Sequence, residues 1–258
     1  MITRPSRNRY PVSRLSLFGI TYSSTPRPAM VAWWSAAFPG FGHFIVNQYA
    51  RGILLTLTEI GINSMCRLNE AIVFTFCGKF EDARRVLDAN LAFGYAIVYL
   101  FAIWDSYRSA RYQASLRALA EYERQPIGRM LIHPLEIQYI ERKKPLTGLF
   151  YSVLFPGLGQ LYNQRFCLAF YLMFWWWFFI GSSHIFAACV ELLFGSIPKS
   201  TGILSLHWFL FMPSVVGGAS YLAYRGTIEQ NKLFREEQLA YLRDKYGQSK
   251  LDIFAESG

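Results

Sequence analysis

Two long stretches without charge constrain the fold of this chain more than any other feature of its sequence. Leu168 to Val190 contains no Asp, Glu, Lys or Arg, and neither does Ile203 to Tyr224. A run of about 20 mostly apolar residues is the length that crosses the hydrocarbon core of a bilayer as a helix. Runs of this kind are rare in soluble proteins, where they form buried helices. The sequence therefore predicts an integral membrane protein.

Two shorter apolar stretches complete the predicted set of spans. Ile53 to Met65 carries one acidic residue, Glu59, and Leu91 to Trp104 carries no charge. Only 17% of all residues are charged, whereas soluble domains contain about a quarter. We therefore expect an all-α protein with four membrane-spanning helices.

A motif that disfavours a continuous helix occurs twice. Phe38-Pro39-Gly40-Phe41-Gly42 is followed 117 positions later by Phe155-Pro156-Gly157-Leu158-Gly159. The same offset joins Tyr107-Arg108 to Tyr224-Arg225. One ungapped offset between two distant pairs of landmarks predicts a tandem duplication within the chain.

Each copy of this motif predicts a helix–break–helix element. Proline removes a helical hydrogen bond, and glycine adopts backbone conformations that other residues avoid. In lipid, the carbonyl groups freed by such a break need other partners. The two apolar segments concerned, 30–46 and 147–162, are therefore expected either to span the membrane with a break or to re-enter on one side.

The positions of the Lys and Arg residues predict the orientation of the chain. Residues 1–29, 105–144 and 225–258 are rich in Lys and Arg, whereas the loop at 191–202 contains Lys199 as its single basic residue. Because basic segments stay on the cytoplasmic side, each half must cross the bilayer an even number of times. We therefore expect two parallel repeats in the cell membrane, with both termini in the cytoplasm.

The predicted fold is an all-α integral membrane protein of two parallel tandem repeats, each a helix–break–helix element plus a two-span transmembrane hairpin. The repeats cover 30–112 and 145–229 and are joined by a cytoplasmic helical linker at 113–144. A basic cytoplasmic arm at 1–29 precedes them, and its Ser- and Pro-rich composition predicts poor packing and disorder. A cytoplasmic helical tail at 230–258 follows them.

The two repeated blocks resemble the TM2 domain superfamily. The family pattern opens with Pro-Gly-x-Gly and then His or Gln, matched here by Pro39-Gly40-Phe41-Gly42-His43 and Pro156-Gly157-Leu158-Gly159-Gln160. A basic–Gly pair then begins the next span, as Arg51-Gly52 does, and an Asp–aromatic–Arg signature closes the block, as Asp105-Ser106-Tyr107-Arg108 does. The resemblance implies a membrane hairpin module of undefined biochemical role, without catalytic residues.

The second block departs from the family pattern at two places. Leu168-Ala169 replaces the basic–Gly pair, and Leu222 stands where the acidic residue would be, although Tyr224-Arg225 is kept. We therefore expect the second block to have lost part of the role of the motif.

Asp105 is a candidate for linking the two ends of the first block. Asp105 and Arg108 are three residues apart on a predicted helix, a spacing typical of surface ion pairs. Alternatively, Asp105 binds the backbone amides that the Pro-Gly break leaves free. The motif and its closure would then form one structural unit.

Glu59 is the candidate functional residue inside a predicted span. A carboxylate within the membrane is costly and often functional. The alternative is that Glu59 pairs locally, with Arg67 or with a backbone donor, or lies near a helix end. The residue at the repeat offset from Glu59 is Trp176, so no symmetric proton or ion site is predicted.

The sequence contains no signature of a zinc metalloprotease, a serine hydrolase or a P-loop enzyme. The four cysteines show no C-x-x-C spacing, and His184 and His207 lack the Cys or acidic spacing of a metal site. We therefore predict no catalytic residue, cofactor or metal, and attribute the net charge of +9 to membrane orientation rather than nucleic-acid binding. Whether Cys66 and Cys77 pair stays open.

The sequence as a whole predicts a non-enzymatic adaptor or structural component of a membrane assembly. Its partners are expected to be the lipid bilayer and another membrane protein or a second copy of the chain. The cytoplasmic helices at 108–124 and 228–246 would provide the contact surfaces. The alternative is a small oligomeric transporter or channel, in which Glu59 and the two broken helices line a polar path.

Overall fold

A computed structural model describes residues 12–16, 18–122, 127, 130–134 and 136–247. The described chain is mostly helical and also contains two antiparallel β-hairpins. The four strands are β1 (Ser13–Ser16), β2 (Gly19–Tyr22), β3 (Met130–His133) and β4 (Glu136–Tyr139). Ser13 pairs with Tyr22 in the first hairpin and Met130 with Tyr139 in the second.

The helices fall into a first and a second half of the chain. The first half contains α1 (Pro28–Ala37), α2 (Phe41–Ile45), α3 (Tyr49–Cys66), α4 (Leu68–Phe76), α5 (Phe80–Val86) and α6 (Ala89–Tyr122). The second half contains α7 (Pro145–Leu154), α8 (Leu158–Tyr162), α9 (Phe166–Ser183), α10 (Ile185–Leu193), α11 (Ile197–Ile203), α12 (Leu206–Phe209) and α13 (Phe211–Tyr246). The bounds of α7 to α11 equal those of α1 to α5 shifted by 117 positions. A break at Leu210 divides the counterpart of α6 into α12 and α13.

The helix break at each Pro-Gly motif has the same geometry in both halves. α1 ends before Phe38, which is extended with φ −159°, and Gly40 then adopts φ +100° before α2 begins. In the second half Phe155 has φ −154° and Gly157 has φ +109°. A side chain at Gly40 would also collide with the body of the fold, because its Cβ would lie 2.5 Å from the Gly52 carbonyl oxygen. Glycine is therefore required here by both conformation and space.

Gly40→Ala should lower the free energy of unfolding by about 2 kcal/mol, because alanine is strained at positive φ and the site has no room for a methyl group. Gly61→Ala is the matched control, since Gly61 lies in α3 with nothing within 4 Å of the added Cβ. Denaturant unfolding followed by tryptophan fluorescence measures both variants. Equal stability of the two variants would contradict the described break.

Each helix–break–helix element turns back on itself. In the first half, Tyr99 of α6 donates to the Ala36 carbonyl oxygen at 2.7 Å before the break, and Gln113 donates to that of Val46 at 3.1 Å after it. Between Ala36 and Val46 the chain therefore runs back along α6 by more than three helical turns, from the level of Tyr99 to that of Gln113. The second half repeats this path along α13, with three hydrogen bonds: Lys143 N to Asn231 Oδ1 (2.8 Å), Gln160 Nε2 to Ala219 O (2.7 Å) and Gln230 Nε2 to Asn163 O (2.5 Å). Both elements enter and leave at the same end of the long helix.

At the opposite end of the fold, two short helices form a closed excursion in each half. Asp88 N donates to the Cys66 carbonyl oxygen at 3.3 Å, so α6 begins where α3 ends. Ser205 N donates to the Ser183 carbonyl oxygen at 3.0 Å in the same way. The excursions α4–α5 and α10–α11 therefore start and finish beside one another. Cys66 is buried and Cys77 is exposed, and both are free, so the pairing that the sequence left open is not made.

The prediction of one straight span over Leu168 to Val190 is wrong. α9 ends at Ser183, and His184 adopts φ +55°, which ends the right-handed helix and redirects the chain into α10. The predicted span over Ile203 to Tyr224 is not one uninterrupted helix, because 203 belongs to α11 and the helices α12 and α13 follow. Pro213 lies in the first turn of α13, where its missing N–H breaks no helical hydrogen bond.

The predicted disorder of the arm at 1–29 is wrong for its described part, 12–16 and 18–29. Ile20 and Tyr22 share one face of β2 and are buried, as the two-residue strand period allows. Ile20 N donates to the Gln164 carbonyl oxygen at 3.2 Å, which fixes the hairpin to the second half. Residues 1–11 and 17 lie outside the described residues.

Within the described residues of the linker at 113–144, only the first part is helical. α6 ends at Tyr122, and the strands β3 and β4 follow. Ile132 lies opposite Ile137 in this hairpin, and β-branched pairs favour strands over helix. The tail at 230–258 is helical to Tyr246, and 248–258 lie outside the described residues.

Two described helices, α6 and α9, are long and apolar enough to cross a membrane. A third qualifies if α11 and the following helices, bent by 79°, are counted as one span. α3 is not among the helices that are long and apolar enough. The described residues therefore contain two or three such spans rather than the four predicted. Many large apolar side chains on α3, α6 and α9 face outward, among them Leu54, Leu57, Phe93, Ile97, Leu100, Phe101, Phe170, Phe174 and Trp177.

Candidate functional site

The repeated motif builds a buried polar cluster around Asp105 in the first half. The carboxylate lies on α6 and faces α2 and α3, and its side chain is 3% exposed. His43 Nε2 lies 3.1 Å from Oδ2, and Arg51 Nη1 donates to the same oxygen at 2.8 Å. Arg108 Nη2 donates to Oδ1 at 2.8 Å. We call these four residues the Asp105 cluster.

The prediction that Asp105 binds the freed backbone amides is wrong. The amides of Phe41, His43 and Phe44 donate instead to the carbonyl oxygens of Phe38 and Gly40. The tight turn therefore satisfies its own donors, and the carboxylate is left for side chains. The motif and its closure do meet at Asp105, but through His43, Arg51 and Arg108 rather than through the backbone.

The ion pair of Asp105 with Arg108 is present, but the carboxylate is buried rather than on the surface. The side chains of Arg51 and Arg108 are 48% and 61% exposed. Solvent therefore screens their charges, and most of the stabilisation is expected from the hydrogen bonds at the buried oxygen atoms. Tyr107 is exposed beside them.

The second half replaces the charged cluster with amide groups. Leu222 is buried where Asp105 stands in the first half. Gln160, the counterpart of His43, accepts a hydrogen bond from Ser152 at 3.2 Å and donates to the Ala219 carbonyl oxygen. Arg225 turns to Glu229 at 2.8 Å. Pro156, Gly157 and Gly159 thus form the same break as the first copy without its charges.

A second cluster surrounds Arg165, a residue that the sequence analysis did not single out. Arg165 is 3% exposed and lies just before α9. It donates to the Phe44 carbonyl oxygen at 3.2 Å, to Asn47 Oδ1 at 2.6 Å and to the Tyr49 hydroxyl at 2.9 Å. A buried guanidinium from the second half is therefore held by oxygen atoms of the first.

The ring of Tyr22 also faces this guanidinium, with 5.9 Å from Arg165 Cζ to the ring centroid. Burial raises the pKa of the Tyr22 hydroxyl to about 12, and the charge of Arg165 opposes part of this rise. Tyr22 is thus neutral at physiological pH and offers an uncharged aromatic face to the cation. The signal in the sequence was a single arginine at the start of an otherwise uncharged run.

A third cluster contains Glu59 at the other end of α3. Glu59 is 5% exposed, accepts a hydrogen bond from Asn63 Nδ2 at 3.1 Å and faces the Tyr95 hydroxyl. Asn63 and Asn69 bond to each other, and Asn69 Nδ2 donates to the His207 carbonyl oxygen at 2.9 Å. The carboxyl group is therefore tied by amides to the second half of the chain.

Glu59 pairs locally, as one alternative had it, but with Asn63 rather than with Arg67, which bonds to Glu70. His207 is buried, with Nε2 3.0 Å from Ser64 Oγ, whereas His184 is exposed at the break after α9. Within the described part of the chain, no group of three or more His, Cys, Asp or Glu residues is arranged to hold a metal ion.

Comparisons of this chain with models of protein families, with curated proteins and with solved structures found no match.

Proposed function

We propose that this chain is a multi-pass membrane protein in which two TM2-like units form a non-enzymatic adaptor or structural component of a membrane assembly. The recurrence of helix bounds at an offset of 117 supports the two units. The outward-facing apolar side chains of α3, α6 and α9 support contact with lipid. The basic segments at 1–29, 105–144 and 225–258 support a cytoplasmic location for both termini.

In this proposal each unit contributes two spans. α3 pairs with residues 89–104 of α6, and α9 pairs with 206–224. The 18 residues of α3 extend about 27 Å, close to the hydrocarbon thickness of about 30 Å. Both helix–break–helix elements then re-enter from the cytoplasmic side, because they leave at the end of the long helix where they entered.

The observation that carries the adaptor role is the pair of helix extensions beyond the proposed membrane. α6 and α13 are joined there by Arg117, which is buried and donates through Nη2 to Glu236 at 2.7 and 2.5 Å. Beyond this bond both helices carry exposed apolar and aromatic side chains: Leu119, Tyr122, Leu239, Tyr241, Leu242 and Tyr246. Exposed apolar groups on a projecting helix are typical of a surface that packs against another protein.

The double variant Leu239→Glu/Leu242→Glu tests this surface. We expect the amount of partner protein that copurifies from native membranes to fall at least about tenfold, because two apolar anchors become charged. Gln238→Glu/Ala240→Glu is the matched control, since it adds the same charge on the same exposed turn and keeps both leucines. Quantitative mass spectrometry of gently extracted complexes measures both. The proposal would be contradicted if the leucine variant kept all of its copurified partner, or if the control lost as much partner as the leucine variant.

The transport alternative rests on Glu59, which is linked to the second half through Asn63 and Asn69 at the end opposite to the helix extensions. The three cavities of about 450, 400 and 370 Å³ near α6 have no Glu59 in their lining. We expect Glu59→Gln to change the free energy of unfolding by less than about 0.5 kcal/mol, because the amide oxygen still accepts from Asn63. Glu59→Leu should cost about 1–2 kcal/mol, because Asn63 loses that acceptor.

Ion and proton flux into liposomes, measured for the unaltered chain and for the Glu59→Gln variant, decides between the two functions. The adaptor role predicts no flux with either protein, and the same amount of copurified partner from membranes that contain either one. A flux in the unaltered chain that Glu59→Gln abolishes would establish transport instead.

A further inference from the structure

A groove runs along α6 beside the Asp105 cluster. Three cavities of about 450, 400 and 370 Å³ open there, and Tyr112 lines all of them. Arg108 lines the second and third, and Ser109 lines the first and second. The three cavities therefore adjoin one another along this groove. We call it the arginine groove, after the four arginines that line it: Arg14, Arg51, Arg108 and Arg111.

The arginine groove is strongly positive. No Asp or Glu is among the residues that line the three cavities. Asp105 lies beneath the groove, and it neutralises only one of the four cations. Excess positive charge at a concave surface attracts anions and raises their local concentration.

The arginines of the groove retain free hydrogen-bond donors. Arg51 and Arg108 each bond to Asp105 through one terminal nitrogen, and both guanidinium groups are about half exposed. A guanidinium carries five N–H donors in a fork that fits two oxygens of one phosphate. Two or three such forks around one depression suit a phosphate group, whose oxygen atoms point in several directions and can each accept from a different arginine.

Aromatic side chains place the groove at the level of lipid headgroups in the proposed topology. Trp104 and Tyr107 line one of the three cavities and are exposed. The Arg108 guanidinium stacks 4.8 Å above the Trp104 ring centroid. Exposed Trp and Tyr at the end of an apolar helix are typical of the membrane–water interface, where basic residues attract anionic lipid.

We propose that the arginine groove binds the phosphate of an anionic phospholipid in the cytoplasmic leaflet. This inference rests on the proposed membrane function and adds a specific lipid contact to it. The groove belongs to the first half alone, because Leu131, Leu168 and Ile228 stand at the repeat offsets from Arg14, Arg51 and Arg111. The remaining counterpart, Arg225, bonds to Glu229. The described part of each chain therefore carries one such site.

Native mass spectrometry of the full chain in mild detergent tests the lipid site. The probes are phosphatidylglycerol and phosphatidylcholine with identical acyl chains. We expect one phosphatidylglycerol molecule to be retained in preference to phosphatidylcholine. Arg108→Gln/Arg111→Gln should weaken its binding about thirtyfold, from about fivefold for each arginine.

Two further variants keep the test independent of folding. Arg111→Gln leaves the Asp105 cluster intact and should weaken phosphatidylglycerol binding about fivefold. Arg84→Gln/Arg85→Gln in α5 removes the same charge from exposed positions at the opposite end of the fold and should leave binding unchanged. Equal retention of the two lipids, or equal loss in the α5 control, would overturn the site.

Glycerol 3-phosphate distinguishes a lipid from a soluble anion. If it displaces phosphatidylglycerol at equal concentration, the groove binds free phosphate esters and the lipid assignment is wrong. Alkaline washing of the membranes tests the proposed function separately. A chain released by the wash contradicts membrane insertion, whereas a retained chain that is indifferent to phosphatidylglycerol contradicts only the groove.

Discussion

Arg165→Met should lower the free energy of unfolding by about 4 kcal/mol, the largest effect that we expect from a single substitution. The change leaves the Phe44 carbonyl oxygen, Asn47 Oδ1 and the Tyr49 hydroxyl without the donor that they share. Each hydrogen bond from a charged donor is worth about 1.5–3 kcal/mol, although Phe44 and Asn47 keep one other donor each. Relief from burying a cation offsets part of that sum. Denaturant unfolding in one detergent, followed by tryptophan fluorescence, measures the difference.

Arg165→Lys should recover about half of the loss, because an ammonium keeps the charge but cannot reach three acceptors in one plane. Lys199→Met is the control, since it removes a cation from an exposed helix and should change stability by less than about 0.5 kcal/mol. If Arg165→Met were as stable as the control, the buried guanidinium would not hold the two halves together.

Asp105→Asn should lower the free energy of unfolding by about 3 kcal/mol. His43 and two arginines donate to the two carboxylate oxygens, and asparagine replaces one of these acceptors with an NH₂ group that faces a donor. A buried imidazole or guanidinium nitrogen without an acceptor costs about 1–3 kcal/mol. Asp244→Asn, at an exposed position on the last turns of α13, is the control and should have little effect.

The second half suggests how this loss can be recovered. It fills the same positions with Gln160 and Leu222, and Gln160 donates to the Ala219 carbonyl oxygen. The double variant His43→Gln/Asp105→Leu should therefore be more stable than the sum of the two single changes predicts, by about 1–2 kcal/mol. Strict additivity in this double-mutant cycle would show that His43 and Asp105 do not act as one unit.

The breaks at the two Pro-Gly motifs follow from local chemistry, which is why the sequence locates them. Proline and positive-φ glycine act within a few residues, so Pro39 and Gly40 mark the position of the break without knowledge of the fold. The break at His184 carries no such mark, because a non-glycine residue at positive φ is held by its tertiary surroundings. Hydropathy therefore merged α9 and α10 into one apparent span.

The candidate site shows the same division between local and long-range information. Asp105 was singled out by its place in the repeated block, but its partners are donors that the fold brings from α2 and α3. Arg165 was missed because its acceptors lie more than 100 positions earlier in the chain. The hairpin β1–β2 was missed because strands of four residues are too short for a periodic signal to outweigh a polar, Pro-rich composition.

The most direct test of the central claim is the accessibility of single cysteines to a membrane-impermeant maleimide. Cys77 lies exposed in the turn between α4 and α5, on the side that we assign to the exterior. Ser115 is on the cytoplasmic extension of α6 and takes a cysteine in a second variant. Both are measured after the remaining native cysteines are replaced with alanine. We expect Cys77 to react in intact cells and the Ser115→Cys variant to react only after permeabilisation. Labelling of the Ser115→Cys variant in intact cells would contradict the proposed topology.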